Sequence, residues 1–568
     1  MTRATPPETP DKNTSQAGPV SWLKRLLPNT PAGRVTSGDE LDSQPDATLV
    51  AITAEEKPEA VQTPENGFSG RRLGILLMLG AIFSKLLGLM REIGMAHMFG
   101  TTVTADAFRA SVAGVLLPLL VFRAETVPII MIPMYRDWSN NPRIAQLFAA
   151  LALTVTAIGT LIMGLVLWLS SLWVYALVGG FSAEGQALTR YFLSIMALGM
   201  PGAVLINVLS AGEIALGRSR LTTLLASVLN LSIIGGLGAV VVTGQLVALP
   251  VAFALAFDGL ALWGLVTLAR EGVISFRDLR WSECVTVQKE FWRRVAPILT
   301  TPIAEQANIW VERLIASRIA VGAVASLDYA RTITESAVLF ISQPIGMVLL
   351  AMPPDANPGE QVDKLSRPLL ACSLPPCAWL FIFGPEATTF LFSRGAFNET
   401  AVELTGQALR GIALGLWATT LGWVLLRMLN SAGKNRRATL ILLVGFAVNI
   451  ASNFVLYEVP SAKSYGPFLV GFGESLRGFV LLFGSALMLG SMRQVLRLLV
   501  MALPATLLMT LIGLWLDNAM EALFPKLMLS GLACVFCILL GLMAMGSGIL
   551  RQLIERVRGR LGKKFSQR

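Results

Sequence analysis

The chain has 568 residues, of which 54% are hydrophobic and only 14% charged, with a net charge of +10 and a mean hydropathy of +0.64. Soluble domains carry about 25% charged residues, so this composition excludes a soluble enzyme. The single histidine and the five cysteines leave no basis for a histidine metal cluster or a disulfide framework. The sequence therefore predicts an all-α polytopic membrane protein without a catalytic centre.

Residues 1–70 differ from the rest of the chain. They contain nine of the 29 prolines and ten acidic residues against six basic ones, so their net charge is −4. Low hydrophobicity with many Pro, Ser and Thr residues is typical of disorder. We predict a disordered cytoplasmic tail here, and the remaining chain carries a net charge of +14.

Apolar windows of about 20 residues, long enough to cross a bilayer, recur along the rest of the chain. Broken at Pro, Gly and charge clusters, they predict fourteen spans, near 73–96, 106–134, 144–173, 190–216, 220–244, 247–269, 295–319, 326–352, 366–390, 405–431, 438–458, 465–491, 495–516 and 527–550. We predict an N-lobe of six spans (71–272), a cytoplasmic linker (273–292), a C-lobe of six spans (293–492), two further spans (493–550) and a basic cytoplasmic tail (551–568).

Loop charge predicts the orientation of these spans. With both termini in the cytoplasm, the inside loops contain seventeen basic residues and the outside loops four. This distribution satisfies the positive-inside rule. The basic residues therefore indicate orientation and are compatible with contact with anionic lipid, and they give no reason to expect a nucleic-acid partner.

An internal repeat indicates how the spans are arranged. The spacing Arg-x8-Gly-x5-Asp-x2-Arg occurs twice at an offset of 222 residues, first as Arg91, Gly100, Asp106 and Arg109, then as Arg313, Gly322, Asp328 and Arg331. Each copy joins the first span of a six-span set to the second. Two such halves around a central cavity are a common transporter plan, and the last two spans lie outside the duplication.

Ionisable side chains interrupt the lead span of each half. Lys85, Arg91 and Glu92 lie in the first span, and Glu312 and Arg313 in the seventh. Because a charge near the bilayer centre costs about 2.5–3.5 kcal/mol on insertion scales, these groups indicate a watery cavity or close pairing.

Pairing within each half is the alternative to an open cationic cavity. Arg91 would then pair with Glu92 or Asp106, and Arg313 with Glu312 or Asp328. Arg109 and Arg331 each follow an aspartate by three residues on one helix face, which favours local pairing. Lys85 has no acid three or four residues away, so it is the best single candidate for meeting an external anion.

Two further features have a structural interpretation. The spacing Cys534-Val-Phe-Cys537 could suggest a redox pair, but both cysteines lie in an apolar run, where cysteine behaves as a small hydrophobic residue. Glu474 and Arg477 lie within a span without a repeat partner. We interpret them as contacts between packed helices.

Several segments resemble the MurJ/MviN lipid II flippase family. The stretch Ser84-Lys-Leu-Leu-Gly-Leu-Met-Arg-Glu92, followed by Ala96-His-Met-Phe-Gly100 and Ala105-Asp-Ala-Phe108, resembles the opening signature of that family. Leu391-Phe-Ser-Arg-Gly-Ala-Phe397 resembles a later motif, and the resemblance covers roughly 72–550. It implies a multi-pass flippase of the bacterial inner membrane that moves undecaprenyl-pyrophosphate-linked sugars outward.

The resemblance also implies which residues act. It places cationic cavity groups at Lys85 and Arg91 with Asp106 beside them, and Arg123 stands just before the family's Ala-Glu motif. A cavity with Lys85, Arg91, Arg123 and Arg313 suits a pyrophosphate, which guanidinium and ammonium groups bind strongly. Glu92, Asp106, Arg109, Glu312, Asp328 and Arg331 are the predicted gating or ion-pair residues.

Other functions remain open at this point. The cargo could be another lipid-linked oligosaccharide, for exopolysaccharide or O-antigen. A multidrug/cation antiporter of the same superfamily would need an acidic cavity, and a non-transporting scaffold in polymer assembly would tolerate neutralised charges. For a flippase we expect no cofactor. The expected partners are membrane lipid and a polyprenyl-pyrophosphate-linked saccharide, with wall- or polysaccharide-assembly proteins as further candidates. The expected driving force is the membrane potential or a coupled ion.

Overall fold

The computed structural model describes residues 70–123, 126–335 and 358–546, with side chains from residue 83 onward except at 358–359 and 462–463. Both predicted tails lie outside the described residues, except for residue 70 at the end of the first tail (1–70); the second is 551–568. Most of the eighth predicted span also lies outside them. The described chain is helical and contains no strand.

Nineteen helical segments follow one another in the described residues. They are α1 (Gly70–Phe99), α2 (Val103–Leu116), α3 (Val127–Asp137), α4 (Ile144–Trp168), α5 (Ser170–Val178), α6 (Ala183–Met196), α7 (Met200–Ala215), α8 (Arg220–Thr243), α9 (Ala248–Arg270), α10 (Trp281–Val295), α11 (Thr300–Ile319), α12 (323–335), α13 (Pro358–Phe392), α14 (Glu399–Ser431), α15 (Asn435–Glu458), α16 (Pro460–Lys463), α17 (Phe468–Leu489), α18 (Met492–Ala519) and α19 (Leu523–Ala544). Short 3-10 segments join several of them, such as Leu117–Phe122 between α2 and α3.

Eleven spans in the described residues are long and apolar enough to cross a membrane, and α2–α3 and α6–α7 each form one of them. The lead helices α1 and α11 are not among the eleven, and in α11 the charged residues Glu305, Glu312, Arg313 and Arg318 lower the hydropathy. Together with α12, of which residues 323–335 are described, they bring the number to the fourteen that the sequence predicts. The chain is a multi-pass membrane protein.

The two halves share one packing plan. In the first half α1 packs on α8, α8 on α9, α7 on α9 and α4 on α7. In the second half α11 packs on α15, α15 on α17, α14 on α17 and α13 on α14. The same pairs form when the helices are matched in chain order, as a parallel repeat requires. The lobe and linker boundaries predicted from the sequence stay predictions.

The last two helices pack outside this duplicated core. Both α18 and α19 contact α13, and they contact each other. Cys534 and Cys537 on α19 are buried, and all five cysteines are free thiols. This environment agrees with the interpretation of the cysteine pair as packing residues.

A short amphipathic helix occupies most of the predicted linker. Cys284, Val287, Phe291 and Val295 of α10 are buried and recur at helical spacing on one face. This face packs against α3 and α4. The Phe291 ring also stacks on Phe122, at the end of the 3-10 segment before α3, with centroids 6.0 Å apart. Sequence reading missed this helix because basic residues divide its apolar positions.

An arginine compensates for a proline inside α13. Proline has no backbone N–H and leaves the carbonyl four residues earlier without its helical partner. Pro385 does this to the carbonyl of Phe381, and the backbone leaves helical geometry at Phe383. Arg410 of α14 donates its Nε–H to that carbonyl at 3.1 Å. Arg410, a charged residue within a predicted span, therefore stabilises a helix kink.

Candidate functional site

The first cluster lies at the centre of the N-lobe. Glu92 of α1 accepts from Arg91 Nη2 at 2.5 Å and from Arg109 Nη2 of α2 at 2.6 Å, so one carboxylate serves two guanidinium groups. Only 5% of the Glu92 side chain and 8% of that of Arg109 are exposed, against 27% for Arg91. Arg91 is therefore the accessible cation of this cluster.

Asp106 connects the two lobes through backbone atoms. Its carboxylate accepts hydrogen bonds from the N–H of Gly322 at 2.6 Å and of Ala325 at 2.8 Å, which lie just before and within the first turn of α12. Those N–H groups have no partner inside the helix, and a negative charge at a helix N-terminus is stabilising. The expected local pairing of Asp106 with Arg109 is wrong, because Arg109 turns to Glu92 and Asp328 instead.

The same seam is closed by two glycines and a tyrosine. Gly100 (φ +52°) and Gly322 (φ +87°) are the repeated glycines of the motif, and both adopt the left-handed backbone that favours glycine. The Tyr329 hydroxyl donates to the carbonyl of Gly100 at 3.1 Å, and the Arg109 guanidinium lies 4.2 Å from the Tyr329 ring centroid. The backbone N–H of Ala396 donates to the carbonyl of His97 at 2.8 Å.

Asp328 gathers the arginines of both repeats. Its carboxylate lies 3.3 Å from Arg313, 3.4 Å from Arg109 and 3.6 Å from Arg331, measured to the nearest guanidinium nitrogen. Asp106 and Asp328 occupy equivalent repeat positions but have different partners. Asp106 binds helix amides of the opposite lobe, whereas Asp328 binds guanidinium groups.

Arg331 has its shortest contacts deeper in the C-lobe. It lies 2.5 Å from Glu312 of α11 and also pairs with Glu474 of α17. Glu312 in turn accepts from Asn308 at 2.8 Å and from Asn449 of α15 at 2.6 Å. Glu474 is thus a contact between packed helices, and this contact is an ion pair that belongs to the charged network. The sequence signal for this ion pair was an acidic residue within a predicted span, the same feature that marks the lead helices.

The remaining predicted substrate residues are Lys85 and Arg123. Lys85 is exposed on α1, and no ion pair to it is found among the described side chains. Arg123 follows the 3-10 segment after α2, and its carbonyl accepts from the N–H of Thr126 and of Val127. The structure therefore brings Arg91 and Arg313 into one network, and among the described side chains it shows no ion pair that joins Lys85 to this network.

The charge balance of the network decides what it can do. Four arginines (Arg91, Arg109, Arg313 and Arg331) pair with four carboxylates (Glu92, Glu312, Asp328 and Glu474), while Asp106 binds backbone amides beside them. A pyrophosphate can bind here only by competing with carboxylates for the same guanidinium groups. In the residues that the structure describes, no group of three or more His, Cys, Asp or Glu side chains could hold a metal ion.

Comparison with known proteins assigns the family. The model of the family described as lipid II flippase MurJ matches residues 95–533. The probable lipid II flippase MurJ of Treponema pallidum is 22% identical over 405 residues, covering 68% of this chain and 76% of that protein. The lipid II flippase MurJ of Burkholderia cenocepacia is 24% identical over 432 residues, covering 71% and 81%.

A solved structure shows the same fold. Lipid II flippase MurJ in an inward closed conformation superposes with a TM-score of 0.72 at 17% identity, covering 84% of this chain and all of that one. The family match and the shared fold lead to the same assignment. The chain belongs to the lipid II flippase MurJ family, a family of multi-pass inner-membrane transport proteins.

Proposed function

We propose that this chain is a flippase that carries lipid II, a polyprenyl-pyrophosphate-linked saccharide, from the inner to the outer leaflet by alternating access. The observation that carries the proposal is the network of four arginines and four carboxylates between two repeated lobes of a MurJ-family protein. A site that only holds helices together would not need arginines that share several carboxylates. A carrier needs them, because it has to bind an anion and then release it.

Lys85 and Arg91 are the first contacts of the cargo in this proposal. Both lie on α1, Lys85 without a described ion pair and Arg91 partly exposed at the edge of its cluster. The pyrophosphate competes with Glu92 for Arg91, and the shared carboxylate then stays with Arg109. Arg313 and Asp328 offer the equivalent exchange in the C-lobe.

Asp106 holds the outer gate closed while the cargo enters. The positive-inside rule places both termini in the cytoplasm, and the seam at Gly100 and Gly322 then lies on the outer side. Opening it breaks the two hydrogen bonds from α12 to Asp106. After release, the carboxylates return to the arginines and the gate closes again.

The membrane potential is the proposed driving force. A pyrophosphate carries about two negative charges, and moving one charge across 100 mV is worth about 2.3 kcal/mol. An inside-negative potential therefore favours outward movement of this cargo. The alternative is a coupled ion, which would make transport depend on the gradient of that ion.

Reconstitution into vesicles tests the proposal. Fluorescent lipid II is placed in the leaflet that corresponds to the cytoplasm, and its arrival in the other leaflet is followed with ionophores that clamp the potential or the pH gradient. We expect transport to stop at zero potential and to continue without the pH gradient. Undiminished transport at zero potential contradicts the electrical step. Absence of transport for every lipid-linked sugar tested favours a scaffold that works with wall-assembly proteins.

A further inference from the structure

Asn230 contacts the accessible arginine of the N-lobe. It lies in the middle of α8, which packs along α1, and only 8% of it is exposed. Its amide oxygen accepts from Arg91 Nη1 at 2.9 Å, and its amide nitrogen donates to the carbonyl of Ser84 at 3.2 Å. Arginine can only donate and a carbonyl can only accept, so these two partners fix the orientation of the amide.

The backbone of α1 is shaped for this contact. Gly88 lies one turn after Ser84, and a Cβ atom added there would come 3.5 Å from the amide nitrogen of Asn230. This is an ordinary van der Waals distance, so the amide reaches between two turns of α1 directly beside Gly88. Asn230 thus connects the backbone of the lead helix to the guanidinium of Arg91.

The amide binds Arg91 without neutralising its charge. Glu92 already accepts from Nε and Nη2 of Arg91, at 3.1 and 2.5 Å, and it is shared with Arg109. Arg109 also pairs with Asp328 at 3.4 Å, so Glu92 is not its only carboxylate. Since Asn230 is neutral, it aligns the guanidinium of Arg91 without adding a second carboxylate that an external anion would have to displace.

The other lobe contains the same arrangement with the polarity reversed. The helix α15 packs on α11 as α8 packs on α1, and it carries Asn449. The amide nitrogen of Asn449 donates to Glu312 at 2.6 Å. An asparagine therefore contacts a charged side chain of the lead helix in both halves, and it presents whichever end of the amide that charge requires.

We propose that Asn230 is a positioning residue, which aligns Arg91 for the anionic headgroup while leaving its charge available. This inference rests on the proposed function, because it assumes that Arg91 binds the pyrophosphate of the cargo. A carboxylate at position 230 would form a permanent ion pair with Arg91, and an apolar side chain would leave the guanidinium held by Glu92 alone.

The first test is binding of farnesyl pyrophosphate to the purified full-length protein, with farnesol as the uncharged comparison. We expect Asn230→Asp to weaken pyrophosphate binding by roughly tenfold or more, since charge-assisted hydrogen bonds are of that size, with the thermal unfolding temperature unchanged or higher. Asn230→Leu should weaken binding less. Asn518→Asp, the same exchange on exposed α18, where the amide donates only to Leu514, is the matched control.

A charge rescue separates positioning from packing. Adding Glu92→Gln to Asn230→Asp restores the number of carboxylates around Arg91, so affinity should recover, and a packing defect would not. In the transport assay, Asn230→Asp should raise KM more than it lowers kcat. Binding equal to wild type in Asn230→Asp, while Arg91→Ala loses binding, overturns the inference and leaves the proposed function intact. Wild-type protein that binds no pyrophosphate contradicts both.

Discussion

The carboxylate of Asp106 accepts a hydrogen bond from the backbone N–H of Gly322 at 2.6 Å, which ties the second helix of one lobe to the start of the corresponding helix of the other. The two residues belong to the two copies of one repeated motif. A second bond, from Ala325, completes a cap on the first turn of α12. This contact is what a lobe-opening motion would have to break.

Asp106→Asn should therefore shift the protein toward the open gate. The amide keeps the size of the side chain but loses the negative charge at the helix N-terminus, at a cost of about 1 kcal/mol. We expect turnover to fall more than substrate affinity, because the gate recloses more slowly. Labelling of Thr101→Cys by an impermeant thiol reagent should become faster in this variant. Unchanged labelling would show that the cap does not hold the gate.

Lys85→Ala should reduce affinity for the cargo without reducing stability. The described side chains offer Lys85 no ion pair, so its removal leaves no group without a partner. Loss of one charge-assisted contact corresponds to roughly a tenfold weaker binding, and Lys85→Arg should retain it. Lys289→Ala, which removes an exposed lysine from α10, serves as the control. Full transport by Lys85→Ala would exclude this residue from the headgroup site.

Arg331→Met should destabilise the C-lobe strongly. Glu312 is buried, only 13% of the Glu474 side chain is exposed, and both carboxylates pair with this one arginine. Removing the shared partner of buried charges costs about 3–5 kcal/mol. Thermal unfolding in detergent measures the loss, and Arg427→Met, at an exposed position of α14, is the comparison. Equal unfolding temperatures for the two variants would mean that the cluster contributes no stability.

The ion pair between α10 and α4 should make stability depend on pH. Burial opposes ionisation of Glu283, but the Arg280 N–H and the Arg143 guanidinium outweigh it and hold the pKa of Glu283 below its usual range. The stabilisation is therefore complete above the usual glutamate pKa of about 4.3 and is lost as pH falls through the lowered value.

Glu283→Gln should remove part of this acid-induced loss. Unfolding temperatures of the variant and the wild type, compared across that pH range, measure the difference. Glu458→Gln, at the exposed end of α15, should leave the wild-type pH profile unchanged. A wild-type profile in Glu283→Gln would show that the pair with Arg143 does not stabilise α10.

Single cysteines test the predicted orientation. All five native cysteines are buried, so background labelling is low. With both termini in the cytoplasm, an impermeant thiol reagent added outside intact cells should label Arg394→Cys, between α13 and α14, and should label Arg436→Cys only after the membrane is permeabilised. The reverse pattern would invert the topology.

Hydropathy and spacing were sufficient to predict the membrane class, the span count and the repeated motif. Each depends on local composition, since about 20 apolar residues must fill the bilayer and a repeat keeps its spacing. The same local reasoning paired Arg91 with Glu92, which are neighbours in the chain. It missed α10, because basic residues divide the apolar positions with which this helix packs against α3 and α4.

The partners of the buried charges were decided by tertiary structure alone. Asp106 lies three residues before Arg109 but binds the amides of a helix that begins more than 200 residues later. Glu474 pairs with Arg331, which lies 143 residues earlier in the chain. A buried charge takes whichever partner the packed helices bring within hydrogen-bonding distance, and sequence spacing contains no information on which helices will be neighbours.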